Sequence, residues 1–165
     1  MEVKQISVFI ENKAGHLAEF TKMLADNSIN IRALSIADTQ DYGILRIIVD
    51  NPDEAIVTIK KYGYVCTVNN VLGVSISDTP GSFSKVLEIL AENDIFVEYV
   101  YAFNSQTEGN AYMVFRVNDN AKAKEALEAK KLHIYLWLLF HFLISQSLDT
   151  PKNLHTYPIL HFRLS

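Results

Sequence analysis

The sequence predicts an α+β chain of two small modules in tandem, each ordered β-α-β-β-α-β. Two observations predict it. First, the chain says nearly the same thing twice. VFIENKAGHLAEFTKMLADNSINI (Val8 to Ile31) realigns on VSISDTPGSFSKVLEILAENDIFV (Val74 to Val97) at a fixed offset of 66. Val8, Ile10, Gly15, Leu24, Ala25, Asn27 and Ile29 fall on identical residues. Second, strand and helix periods follow one another in the same order in both copies. A period this long marks a duplicated domain, not a solenoid. The order itself is the split unit of ferredoxin-like folds, antiparallel sheet with helices on one face.

Each element has its own signal. Residues 4 to 10 alternate around Ile6, Val8 and Ile10, the period of a half-buried strand. Asn12-Lys13-Ala14-Gly15 breaks the run, and Leu17, Phe20, Met23 and Leu24 then fall at helical spacing. Asp26-Asn27-Ser28 ends that helix. Ile29 to Ala37 reads as a strand, Asp38 to Gly43 as a turn, and Ile44 to Val49 as a near-continuous apolar strand. Asn51-Pro52 opens a second helix, with proline where its missing N–H costs nothing. Tyr64 to Val68 is a short fourth strand.

The second copy repeats the order. Val71 to Ser77 is a strand, and Pro80 starts a helix reaching about Glu92. Val97 to Phe103 and Ala111 to Val117 are strands around the polar loop Asn104 to Asn110, and Asn120 to Lys130 is a helix. A closing strand is expected near Leu132 to Leu139. The modules therefore span 1–70 and 71–140, followed by an atypical tail over 141–165. From residue 131 onward the text changes: it holds four of the five His, the only Trp and four charged residues. Its start can complete the sheet while the rest packs on the core. Alternatively, it is not native-like sequence, such as the product of a frame change near Lys131. The 13-residue run Leu132 to Ile144 could also associate with a membrane, but it is short of the roughly 20 residues that a span needs.

Composition narrows the function. The chain is 49% hydrophobic and 21% charged, so it can bury a core. It carries a formal charge of −4 and no basic block, which argues against nucleic acid and anionic membranes. Cys66 is alone, so neither a disulfide framework nor a Cys-rich metal site is expected. The N-terminus lacks the basic start and apolar run of a signal peptide, and the expected compartment is the cytoplasm. His16 beside Glu19 could be an acid–base pair, but no nucleophile accompanies them, and a solvated first turn accounts for both. Tyr99, Tyr101, Phe103, Tyr112 and Phe115 could suggest base stacking on a sheet, but no RNA-binding strand motif is present.

The two strand-to-helix loops carry the candidate chemistry. Asn12-Lys13-Ala14-Gly15-His16-Leu17 and Asp78-Thr79-Pro80-Gly81-Ser82-Phe83 each place glycine at a helix start. Glycine allows close backbone approach, and a helix N-terminus favours a carboxylate. An Asn side chain can donate to a carboxylate and accept from an ammonium. Asn30, joined to the first helix by a short turn, is expected near the first loop. These features suit a free α-amino acid. The alternative is that Asn12 and Asp78 simply cap their helices.

The pattern strand, Asn-x-x-Gly-x-Leu, helix, then Asn-Ser-Ile-Asn-Ile entering a strand resembles the ACT domain, a regulatory amino-acid-binding module. The resemblance covers residues 3 to 130 or so and occurs twice in register. It implies side-by-side pairing into an eight-stranded sheet, with ligand at the seam. By position it implies ligand contacts from Asn12, Gly15 and Asn30, with Lys13, Ala14, His16 and Leu17 lining the loop. The second copy departs from the pattern: Asp78 and Phe96 replace the two Asn. A second site at Asp78, Pro80, Gly81, Ser82 and Phe83 is correspondingly weaker, since an ionised Asp cannot donate to a carboxylate. The expected protein is non-catalytic, without cofactor or metal. It would bind a free amino acid, signal to a separate enzyme or regulator, and form a homodimer. The alternative is a regulatory subunit acting by protein–protein contact without ligand.

Overall fold

The computed structural model describes residues 2–38, 42–103 and 109–130. The elements in order are β1 (Glu2–Glu11), α1 (His16–Asp26), β2 (Ile31–Asp38), β3 (Tyr42–Val49) and α2 (Pro52–Lys61), then β4 (Cys66–Ser77), α3 (Ser82–Glu92), β5 (Val97–Phe103), β6 (Asn110–Val117) and α4 (Asn120–Ala129). The closing strand expected at 132–139 and the tail over 141–165 lie outside the described residues.

The strands form one antiparallel sheet in the order β2-β3-β1-β4-β6-β5. The two strands expected at Tyr64 to Val68 and Val71 to Ser77 are a single strand, β4. Its first half, Cys66 to Leu72, pairs with β1, and its second half, Leu72 to Ser77, pairs with β6. Asn69 and Asn70 fall between the two strands read from the sequence. They are held in the ladder opposite Gln5 and Lys4, and the Asn70 carbonyl accepts from Arg116 Nη1 (3.0 Å) and Asn120 Nδ2 (3.2 Å). The module boundary read at 70/71 thus falls inside a strand shared by both halves.

The repeated residues have a physical reason. Leu24, Ala25, Asn27 and Ile29 build a Schellman motif: Ile29 N–H donates to the Leu24 carbonyl (2.9 Å) and Ser28 N–H to that of Ala25 (2.9 Å). The Asn27 side chain adds a bond to the Met23 carbonyl at 2.8 Å. Leu90, Ala91, Asn93 and Ile95 do the same after α3, with Asn93 on the Ile89 carbonyl at 2.8 Å. The left-handed position falls on Ser28 (φ 58) and Asp94 (φ 52).

One face of the sheet carries the helices. Ile6, Val8, Ile10, Leu45 and Ile47 pack against Phe20, Met23 and Leu24 of α1 and Ala55 and Ile59 of α2. Leu72, Val74, Ile76 and Phe115 pack likewise against Val86 and Leu90 of α3 and Ala123 and Leu127 of α4. The sheet curls so that its two edge strands, β2 and β5, approach each other. The inner face then holds a third core, shared by both modules: Ala33, Ile48, Val71 and Val114, with Val3 and Tyr101 against them. Each large aliphatic side chain fully buried this way contributes about 1.5–3 kcal/mol.

Candidate functional site

The first loop follows directly from β1. Lys13 N–H donates to the Glu11 carbonyl (2.9 Å) and His16 N–H to that of Lys13 (3.2 Å), turning the chain into α1. Gly15 stands at the N-cap with φ 93, and no side chain caps the helix. The second loop does the same: Gly81 is the N-cap of α3 at φ 86, again without a side-chain cap. The other two helices differ. Asn51 accepts from Glu54 N–H at the start of α2, and Asp119 accepts from Lys122 N–H at the start of α4. Asn12 and Asp78 are therefore not the N-cap residues of the helices they precede, and the caps of α1 and α3 are glycines that bring no side-chain acceptor to the first turn. Proline does not start α3 as the sequence suggested; Pro80 precedes the cap and the helix begins at Ser82.

Asn12, Lys13, Ala14, Gly15 and Leu17 are exposed, and His16 is half-buried. Lys13 Nζ lies 2.6 Å from Glu11 Oε2, and His16 Nδ1 lies 3.7 Å from the same oxygen. The Lys13 ammonium, through its hydrogen bond and its charge, holds the Glu11 carboxyl below the usual range, with His16 a smaller contribution. In the second loop the Thr79 hydroxyl meets those of Ser77 (3.2 Å) and Ser82 (2.8 Å). Asp78 and Pro80 are exposed, whereas Phe83 turns inward and stacks on Phe115 at 6.1 Å between centroids. Phe83 thus belongs to the second core.

Asn30 is not beside the first loop. Glu11 pairs with Tyr42 and Asp38 with Gly43, which sets the loop at one end of the module. Ile31 pairs with Val49, which sets Asn30 at the other. The 11 residues of α1 lie between, about 16 Å of helix. A short turn joins Asn30 to the C-terminal end of α1, not to its N-terminus. There the Asp50 carboxylate accepts from Asn30 N–H (3.2 Å), and Asp50 N–H donates to the Asn30 carbonyl (3.3 Å). The Asn30 side-chain amide is exposed and makes no hydrogen bond among the described residues. Phe96 repeats this brace, its N–H donating to Asn118 Oδ1 at 2.8 Å, but its ring is 68% exposed.

A cluster on the inner face has no counterpart in the sequence reading. Gln5 is fully buried, and its amide joins three hydroxyls. Its Nε2 donates to Tyr99 Oη (2.8 Å) and Ser7 Oγ (3.1 Å), and its Oε1 accepts from Tyr101 (2.9 Å). Arg46 lies over the Tyr99 ring, 4.1 Å from its centroid. Burial, with Tyr99 beside it, pushes the Tyr101 hydroxyl well above its ordinary value, against a smaller downward pull from Arg46. Alternation within β1 could have put Gln5 and Ser7 on one face; their partners in β5 come from the other module and carry no local signal.

Among the described residues no group of His, Cys, Asp or Glu could hold a metal ion, and no helix is long and apolar enough to cross a membrane. Residues 1–136 match the family described as ACT domain pair. The crystal structure of protein BT0572 from Bacteroides thetaiotaomicron has a TM-score of 0.77 and 39% identity, covering 82% of this chain and 92% of that one. The ligand-free regulatory subunit of aspartate kinase from Thermus thermophilus has a TM-score of 0.59 and 18% identity, covering 76% and 88%. The same subunit from Thermus flavus has 0.58 and 19%, covering 78% and 90%. At these identities the two Thermus subunits show a shared fold. No curated protein matches the chain.

Proposed function

The chain belongs to the ACT domain pair family, and from that premise we propose that it is a non-catalytic regulatory protein that binds a free amino acid and signals to a separate enzyme or regulator. The observation that carries the ligand is the contrast among helix starts. α2 and α4 are capped by the side chains of Asn51 and Asp119, whereas α1 begins at a left-handed glycine that makes no side-chain cap bond. Such a terminus suits an α-carboxylate. Asn12 bridges the ligand's carboxylate and ammonium, while Ala14, Gly15, His16 and Leu17 line the loop. Lys13 shapes the loop through Glu11. Asn30, with its amide unengaged but at the far end of its own module, reaches the first loop of a second copy, so binding and homodimer formation are linked. The second loop, with Asp78 in place of Asn, is the weaker site. The Thermus neighbours, regulatory subunits of aspartate kinase, support a separate enzyme as the partner.

The test is calorimetry and thermal melting of the full chain with each of the twenty amino acids. One or a few should raise the melting temperature, because a ligand bound only to the folded state stabilises it. Asn12→Ala and Asn30→Ala should each weaken that binding by about 1–3 kcal/mol. Unchanged affinity in both variants rejects the site. Silence from all twenty favours the second reading, regulation by protein contact without ligand, to which the exposure of Leu34 (41%) and Ile36 (49%) on β2 already lends weight.

A further inference from the structure

The inner face of the curled sheet carries three rows of side chains across β2, β3, β1 and β4. The deepest, Ala33, Ile48, Gln5 and Asn69, leads into the shared core. The next is wholly polar: Ser35, Arg46, Ser7 and Thr67 stand opposite one another in the register. The third is apolar: Ala37, Ile44, Phe9 and Val65, of which Phe9 is 46% and Val65 65% exposed. The face therefore runs from a floor against the shared core, through a row holding the Arg46 cation, to an apolar mouth.

We propose that this face of the first module binds a small carboxylate with an apolar tail, gripped by Arg46, Ser7 and Ser35, with Tyr99 as wall and Phe9 and Val65 against the tail. This goes beyond the amino-acid site at the loops. Arg46 is half-buried, yet among the described residues no carboxylate pairs with it. Its Cζ lies 4.1 Å from the Tyr99 ring centroid, and this contact with a ring occupies no carboxylate or carbonyl acceptor, so the guanidinium can still take a bidentate one. Ser7 Oγ already accepts from Gln5, so its own hydrogen is left to donate outward. The Gln5 bridge to Tyr99 and Tyr101 fixes the wall.

The second module shows that the fold does not require this row. There Tyr101, Val114 and Gly73 occupy the register positions of Ser35, Arg46 and Ser7. That row carries no charge, and Val114 is part of the shared core. Only one of two otherwise matching modules keeps a guanidinium between two hydroxyls.

The experiment titrates the full chain with phenylacetate and hexanoate, with phenylacetamide as the uncharged control, by calorimetry and thermal melting. Both carboxylates should bind and raise the melting temperature, and the amide should not. Arg46→Gln should weaken phenylacetate at least tenfold, and Arg46→Lys should weaken it less, since an ammonium keeps the charge but loses the two-pronged grip. No response to either carboxylate, or equal affinity in Arg46→Gln, overturns the proposal. Loss of binding in Asn12→Ala but not in Arg46→Gln would place the carboxylate at the first loop and overturns it too. Should Arg46→Gln fail to fold by circular dichroism, Ser7→Ala and Ser35→Ala carry the comparison, and unchanged affinity in both rejects the site.

Discussion

Gly15 and Gly81 are identical in the repeat because of their backbone. Their φ values are 93 and 86, and a Cβ at either would meet nothing within 4 Å. The glycine is thus set by the left-handed turn into the helix, not by crowding around it. Gly15→Ala should cost about 1–2 kcal/mol, read as a lower urea midpoint with an unchanged slope. An unchanged midpoint would mean that the loop adopts another turn. The position of this loop was legible in the sequence, because its candidate residues are contiguous and its pattern occurs twice. The distance to Asn30 was not, since spacing along the chain does not say which end of a helix a strand returns to. Arg46, Tyr99 and Gln5 were illegible as a group for a related reason: they lie on three strands in two modules and meet only when the sheet curls.

Between elements, the Gln5 bridge ties β1 of the first module to β5 of the second. Its acceptor oxygen is held by Tyr101, so Tyr101→Phe leaves a buried amide oxygen without its donor. The expected cost is about 1–3 kcal/mol at neutral pH. The same hydroxyl predicts an alkaline effect. Its folded value lies above its ordinary value of 10.0, so the folded state holds the proton more tightly than the unfolded chain does. The stabilisation is present below about pH 10 and is lost as pH rises above it. Urea midpoints measured from neutral to alkaline pH should therefore fall more steeply for the parent than for Tyr101→Phe. Parallel curves would show that Tyr101 ionises as readily folded as unfolded. Helix and strand positions were mostly legible from periodicity and punctuation. The exception is β4, where the sequence reads as two strands separated by two asparagines although pairing with β1 and the Arg116 and Asn120 contacts keep the strand intact.

At the scale of the molecule, duplication in sequence does not imply two independent folding units. β4 belongs to both halves, and the inner core draws Ala33 and Ile48 from one and Val114 and Tyr101 from the other, around Val71 of the shared strand. Separating the chain between Asn70 and Val71 would cut β4 and expose that core on both pieces. A piece ending at Asn70 would lose Val71 and Leu72, which pair with Val3 and Glu2, and would open the inner face of its sheet. A piece starting at Val71 would lose the Asn70 carbonyl that Arg116 and Asn120 grip, along with the polar floor that Gln5 provides for Tyr99 and Tyr101. Each piece would then have a small core and a long unpaired edge, conditions under which isolated domains of this size are marginal. The full chain should accordingly melt in one transition, with equal calorimetric and van't Hoff enthalpies. Pieces 1–70 and 71–165, expressed separately, should show poor dispersion of amide resonances alone and recover it when mixed. Well-dispersed spectra from either piece alone would show that the shared strand joins two domains able to fold without it.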